Sequence, residues 1–81
     1  MRHDDCSECQ RLWRDYADAT TTHVRLDANL RLAALERNLP LVESLTAEVE
    51  EAAVRRAFLR DALQKHEAAH EAADASESSN V

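Results

Sequence analysis

The single proline of this chain, Pro40, lies close to the midpoint of a sequence that contains no glycine. Proline is excluded from a helix interior, because its ring removes a backbone donor and clashes with the preceding turn. The flanking segments are rich in Ala, Leu, Glu and Arg, which favour helix, whereas strand-forming residues are sparse. The sequence therefore predicts an all-α fold. We expect an antiparallel helical hairpin of two long helices, about residues 6–38 and 40–73.

The predicted ends of the helices follow from a few capping residues. Asp5 with Glu8 three positions later forms a capping-box pattern at the start of the first helix. Asn38 suits a left-handed C-cap, and Pro40 suits the first position of a new helix. In the alternative, the loop runs on to Thr46 as N-cap of the second helix, which shifts the register by about one turn.

Both predicted helices carry a seam, a stripe of residues at alternating three- and four-residue spacing. This is the period of helices that pack nearly antiparallel at a shallow angle. In the first helix the seam is Cys9, Leu12, Tyr16, Ala19, His23, Leu26, Leu30 and Ala33, with Trp13 beside it. In the second helix the seam is Leu45, Val49, Ala52, Arg56, Leu59, Leu63, His66 and His70.

Two polar seam residues, His23 and Arg56, are expected to lie level with each other across the hairpin. We interpret them as a polar contact that fixes the register, completed by Asp27 or Glu51. The alternative is a buried polar switch.

Apolar residues outside the seams predict a partner. A two-helix hairpin leaves such side chains exposed, and pairing two hairpins into a four-helix bundle would bury them. A homodimer is therefore expected, with a monomer or a different protein partner as alternatives. These residues are Val24, Leu32, Leu35, Val54 and Phe58.

Length and charge limit the function. The 81 residues suffice for one small domain, predicted at residues 1–73, and the polar, aperiodic residues 74–81 predict a disordered C-terminal tail. The net charge is −6 and the basic residues are scattered, which argues against nucleic acid. No apolar stretch suggests a signal peptide or a membrane span, so a cytoplasmic protein is expected.

Two motifs of metal-ligand type lie near opposite ends of the sequence, Cys6-x-x-Cys9 and His66-x-x-x-His70. Residues three or four apart share one face of a helix. Cys9 and His70 are nearly the same number of residues from the hinge, so folding brings them level and all four side chains together. Two thiolates and two imidazoles in a tetrahedron are a preferred zinc environment. The sequence therefore predicts a Zn²⁺ site formed by Cys6, Cys9, His66 and His70.

Other readings of these four residues remain open. In one alternative, the cysteines are small buried apolar residues and the histidines are solvated polar residues. In another, the two cysteines form a disulfide or a redox pair. His66-Glu67-x-x-His70 also matches the zinc protease motif, but four protein ligands leave no position for a catalytic water. We therefore expect no enzyme, but a structural or protein-interaction module, with a zinc- or redox-responsive regulator as the alternative and a metallohydrolase of the His-Glu-x-x-His type as a distant alternative.

Overall fold

The protein folds as two antiparallel α-helices. The computed structural model describes residues 6–79, with side chains described for residues 6–72. Helix α1 spans Ser7–Leu35 and helix α2 spans Leu39–Ser79, and the two pack along their length in a molecule of 64 × 16 × 15 Å. The described part of the chain contains no strand. The predicted all-α hairpin is confirmed.

The turn between the helices is closed by a pair of backbone hydrogen bonds. The Arg37 N–H donates to the Ala34 carbonyl at 3.1 Å, and the Asn38 N–H donates to the Ala33 carbonyl at 3.0 Å. This is the Schellman pattern, in which the residue after the C-cap adopts a left-handed conformation. That residue is Arg37, with φ of 56°, so the prediction that Asn38 takes the left-handed position was wrong.

Asn38 instead caps the second helix. Its side-chain Oδ1 accepts from the Leu41 N–H at 3.4 Å, and its carbonyl accepts from the Val42 N–H at 2.9 Å. Pro40 falls in the first turn, where a missing N–H costs nothing because those donors have no helical partner. Thr46 lies inside α2 and donates its hydroxyl to the Val42 carbonyl at 2.7 Å, which rules out the longer loop.

Two other helix ends differ from the prediction. The N-cap of α1 is Cys6, whose Sγ accepts from the Cys9 N–H at 3.4 Å, so the assignment of Asp5 as N-cap was wrong. Asp5 itself lies outside the described residues. Helix α2 continues to Ser79, past the predicted end at residue 73. The predicted domain boundary therefore does not coincide with a helix end, and disorder of residues 74–81 stays a prediction.

The core is a thin layer between the two helices, and it coincides with the predicted seams. Every residue of both seams is buried or half-buried. Among the described residues, no charged or polar residue is fully buried. Such a narrow core gives limited stability, which is typical of chains of this size. The buried residues are Cys9, Leu12, Ala19, Ala33, Leu45, Leu59 and Leu63.

The two polar seam residues meet as predicted. Arg56 Nη1 lies 3.3 Å from His23 Nδ1, and both side chains are half-buried. Because arginine only donates, the histidine nitrogen accepts this bond. Asp27 does not complete the contact but pairs with Arg31 on its own helix, at 3.1 Å.

The outer faces of the hairpin carry exposed apolar side chains, including the five residues predicted to need a partner. Each of those five is more than half exposed, with Leu35 the most exposed at 81%. Trp13 is also exposed, and its ring meets Tyr16 edge to face at 6.2 Å. Neither helix, over its described residues, combines the length and the apolar character needed to cross a membrane.

Candidate metal centre

The candidate centre lies at the open end of the hairpin, opposite the turn. Cys6 and Cys9 are the N-cap and the first-turn residue of α1, whereas His66 and His70 are one turn apart on α2. Cys9, His66 and His70 therefore lie within helices, and Cys6 lies directly before the first residue of α1. Their neighbours in the seams are Leu12 and Leu63, both buried, so the core continues directly up to the site.

The four predicted side chains converge. Taking one ligand atom from each residue, all four atoms lie within 4.8 Å of one another. Cys6 Sγ is 3.3 Å from His66 Nε2, and His66 Nε2 is 3.1 Å from His70 Nε2. In a tetrahedral zinc site, neighbouring nitrogen and sulfur donors are about 3.3–3.8 Å apart. The cluster is therefore already close to the size that a zinc ion requires.

The accessibility of the four side chains is uneven. Cys9 is buried, with 4% of its surface exposed, whereas Cys6, His66 and His70 are half-buried. The two imidazole rings meet edge to face, with centroids 4.7 Å apart. The site is therefore closed on the side of the core and reachable from the open end.

The surroundings of Cys6 favour its thiolate. The hydrogen bond with the His66 side chain is the largest cause, and the hydrogen bond from the Cys9 N–H adds to it. Together they lower the pKa of the Cys6 thiol to about 6. The thiolate is the form of cysteine that ligates metals, and the lowered pKa favours that form of Cys6.

The environment of Cys9 has the opposite effect. Burial comes first among the causes, followed by the hydrogen bond to the Cys6 side chain, and together they raise the pKa of the Cys9 thiol to about 11. The charges of Glu67 and Glu8 act in the same direction. In the metal-free cluster the two shifts therefore act in opposite directions, favouring the thiolate at Cys6 and the thiol at Cys9.

A pair of charged residues flanks the site on the surface of α1. The Arg11 guanidinium bonds both carboxylate oxygens of Glu8, and Arg11 Nη1 also lies 3.6 Å from Asp15. The guanidinium lowers the pKa of the Glu8 carboxyl below its usual range. Glu8 therefore stays ionised and bound to Arg11, and its carboxylate is not among the converging ligand atoms.

Comparison of the chain with known families, proteins and structures gives no match. No protein-family model matches its sequence, and neither curated proteins nor solved structures yield a similar protein. The interpretation of the site therefore depends on its own geometry and chemistry.

Sequence reasoning identified the residues that converge but missed the second role of Cys6. This residue both belongs to the cluster and caps α1 through its sulfur. The spacing of the two cysteines indicates this role. An N-cap side chain accepts a hydrogen bond from the backbone N–H of the third residue after it, and Cys9 is the third residue after Cys6. The prediction of Asp5 as N-cap rests instead on the capping-box pattern of Asp5 with Glu8, and sulfur is only a weak acceptor.

Proposed function

We propose that this protein is a small zinc-stabilised helical hairpin that serves as a structural or protein-interaction module. Zn²⁺ is held by Cys6, Cys9, His66 and His70. The observation that carries the proposal is the convergence of four ligand atoms within 4.8 Å from residues at opposite ends of the sequence.

The donor set favours zinc over other common cations. Calcium and magnesium take oxygen ligands, whereas two sulfurs and two imidazole nitrogens suit zinc. Four protein ligands also complete a tetrahedron, which is the arrangement of structural rather than catalytic zinc. The Glu67 carboxylate of the protease-like motif consequently has no metal-bound water to activate, and we do not propose a hydrolase.

The position of the site gives the metal a mechanical role. The turn at Arg37 and Asn38 joins the helices at one end, and the ion would join them at the other. The core between the helices is narrow, so burial of the apolar seam alone gives limited stability. Binding of the ion would add to the free energy of folding by linking the helices at their second end. Free thiols need a reducing compartment, so the proposal places the protein in the cytoplasm.

The direct test is metal analysis of the full chain purified without chelator. We expect one zinc per chain in the wild type and loss of zinc in both Cys9→Ser and His70→Ala. Ser7→Ala and Glu71→Ala serve as matched controls, because they change exposed neighbours outside the cluster. Substoichiometric zinc in the wild type would overturn the proposal, and loss of zinc in Cys9→Ser but not in His70→Ala would exclude His70 as a ligand.

The exposed apolar side chains support a second part of the proposal, a homodimer. Val24 on α1 is 58% exposed, and Val54 and Phe58, one turn apart on α2, are each 71% exposed. A second copy is the simplest partner, because two hairpins that share such faces form a four-helix bundle. Sedimentation equilibrium should give a dimer, and Val24→Glu or Phe58→Glu should weaken it, whereas a wild-type monomer would contradict this part alone.

A further inference from the structure

We propose that Cys6 and Cys9 form a redox switch in which a hydroperoxide converts the two metal-binding thiolates into an intrahelical disulfide and releases the ion. This inference rests on the proposed zinc site and assigns a regulation to it. Three features support it: the closeness of the two sulfurs, their unequal accessibility, and the dependence of the helix-to-helix link on both.

The two cysteines are placed for a disulfide within one turn. They are three residues apart at the start of α1, and their sulfurs belong to the cluster whose atoms all lie within 4.8 Å. A disulfide requires an S–S distance of about 2.05 Å. Cys6 has extended rather than helical backbone, with φ of −89° and ψ of 116°, so it lies at the edge of the helix, and forming the disulfide would replace the cap that its sulfur makes with the Cys9 N–H.

Accessibility sets the order of the two steps. Cys6 is half-buried at the open end of the hairpin, where an oxidant arrives first. Its sulfur is held by the Cys9 N–H at 3.4 Å and by His66 Nε2 at 3.3 Å, two contacts that stabilise negative charge on sulfur. Cys9 is only 4% exposed. Cys6 is therefore the attacking sulfur and Cys9 the resolving one.

The chemistry needs one hydroperoxide, ROOH, for each chain. The Cys6 thiolate attacks the terminal oxygen, the O–O bond breaks, and the products are Cys6 sulfenic acid and RO⁻, which takes a proton to give ROH. The Cys9 thiolate then attacks the Cys6 sulfur, the S–S bond forms, and hydroxide leaves and takes a proton to give water. Two electrons pass from the sulfurs to the peroxide, while zinc remains Zn²⁺.

Release of the ion follows from the ligands that remain. A disulfide provides no thiolate, so only His66 and His70 would be left, and both belong to α2. The ion would then no longer link the two helices. We therefore expect oxidation to lower stability at the open end while the turn at Arg37 and Asn38 stays closed.

The test starts from the zinc-loaded full chain, treated with hydrogen peroxide in steps. The zinc content before treatment tests the proposed metal site. The oxidation of the thiols and the release of zinc after treatment test the redox switch, so failure of one proposal can be distinguished from failure of the other. We expect one zinc released per peroxide consumed, an intrachain disulfide by peptide mass mapping, and recovery after dithiothreitol and zinc are added.

Two variants test the order of reaction in the metal-free state, with dimedone as the probe. Cys9→Ser should accumulate a sulfenic acid that dimedone traps at Cys6, because no resolving thiol is present. Cys6→Ser should react roughly tenfold more slowly, because Cys9 is buried. Retention of zinc with both thiols reduced under excess peroxide would overturn the proposal, as would oxidation of Cys9 ahead of Cys6 or disulfides between chains only.

Discussion

Cys6 Sγ lies 3.3 Å from His66 Nε2, although 60 positions separate the two residues in the sequence. Nothing local to either residue brings them together. The contact depends on the turn at residues 36–38 and on two helices that keep a constant register from that turn to these two residues. The candidate metal centre is therefore a direct consequence of the hairpin geometry, and any change in the length of the turn should dismantle it.

The two thiols should differ sharply in reactivity when the metal is removed. The His66 contact and the Cys9 N–H lower the pKa of Cys6 to about 6, whereas burial and the Cys6 contact raise the pKa of Cys9 to about 11. Alkylation requires the thiolate. At pH 7.5 iodoacetamide should therefore modify Cys6 first, as peptide mass mapping can show, and the Cys6 rate should fall only when the pH drops below about 6.

His66→Ala provides the control for this difference. It removes the largest cause of the lowered Cys6 pKa, so the pH at which alkylation of Cys6 is half-maximal should move up. Equal rates for the two cysteines in the folded wild type at pH 7.5 would contradict the cluster geometry.

The same two pKa shifts predict how the stability of the metal-free protein depends on pH. Between pH 6 and 9, Cys6 is deprotonated when folded and protonated when unfolded, so the free energy of unfolding should rise with pH. Between pH 9 and 11, Cys9 keeps its proton only when folded, so the free energy of unfolding should fall. Urea titrations should therefore find a maximum near pH 9, and a double Cys→Ser variant should lack it.

The hairpin and the composition of the site could be predicted because both depend on spacing. The alternation of three and four residues identified the seam positions, and the burial of Leu12, Leu45 and Leu63 confirms them. The nearly equal arms on either side of Pro40 then placed Cys9 and His70 at the same end. A long-range site is predictable in this fold because a straight helix converts residue number into distance.

The helix ends could not be predicted as well, because several residues compete for each cap. Asn38 suits both a left-handed C-cap and an N-cap, and the structure uses its side chain for the N-cap and places Arg37 in the left-handed position. The C-terminal part of α2, which ends at Ser79, contains Ala and Glu residues that favour helix and contains no helix-breaking residue. Local propensity alone gives no sharp boundary in such a segment.

Thr20→Val should stabilise the protein. Thr20 Oγ1 is buried and has no hydrogen-bond partner among the described residues. A buried hydroxyl without a partner costs about 1–3 kcal/mol, and valine has the same shape and a similar helix propensity. We expect the free energy of unfolding to rise by about 1 kcal/mol in urea titrations at fixed protein concentration.

The neighbouring Thr21 offers a matched control. Its hydroxyl is exposed and donates to the Ala17 carbonyl at 3.0 Å, so Thr21→Val removes a satisfied bond and should be neutral or slightly destabilising. Equal effects of the two substitutions would show that the Thr20 hydroxyl is satisfied in solution.

Arg37→Gly should also stabilise the hairpin, because Arg37 has φ of 56° and a side chain in this region is unfavourable. Glycine relieves that strain but gains freedom in the unfolded chain, so a net increase of about 0.5–1 kcal/mol in the free energy of unfolding is expected. Glu36→Gly is the matched control: Glu36 has φ of −81°, so the same change there should destabilise. Asn38→Ala should cost about 1 kcal/mol through loss of the cap to Leu41. Because Arg37→Gly preserves the length of the turn, the register of the helices and the binding of zinc should be unchanged. If Arg37→Gly destabilised the protein as much as Glu36→Gly does, that result would contradict the left-handed conformation of Arg37.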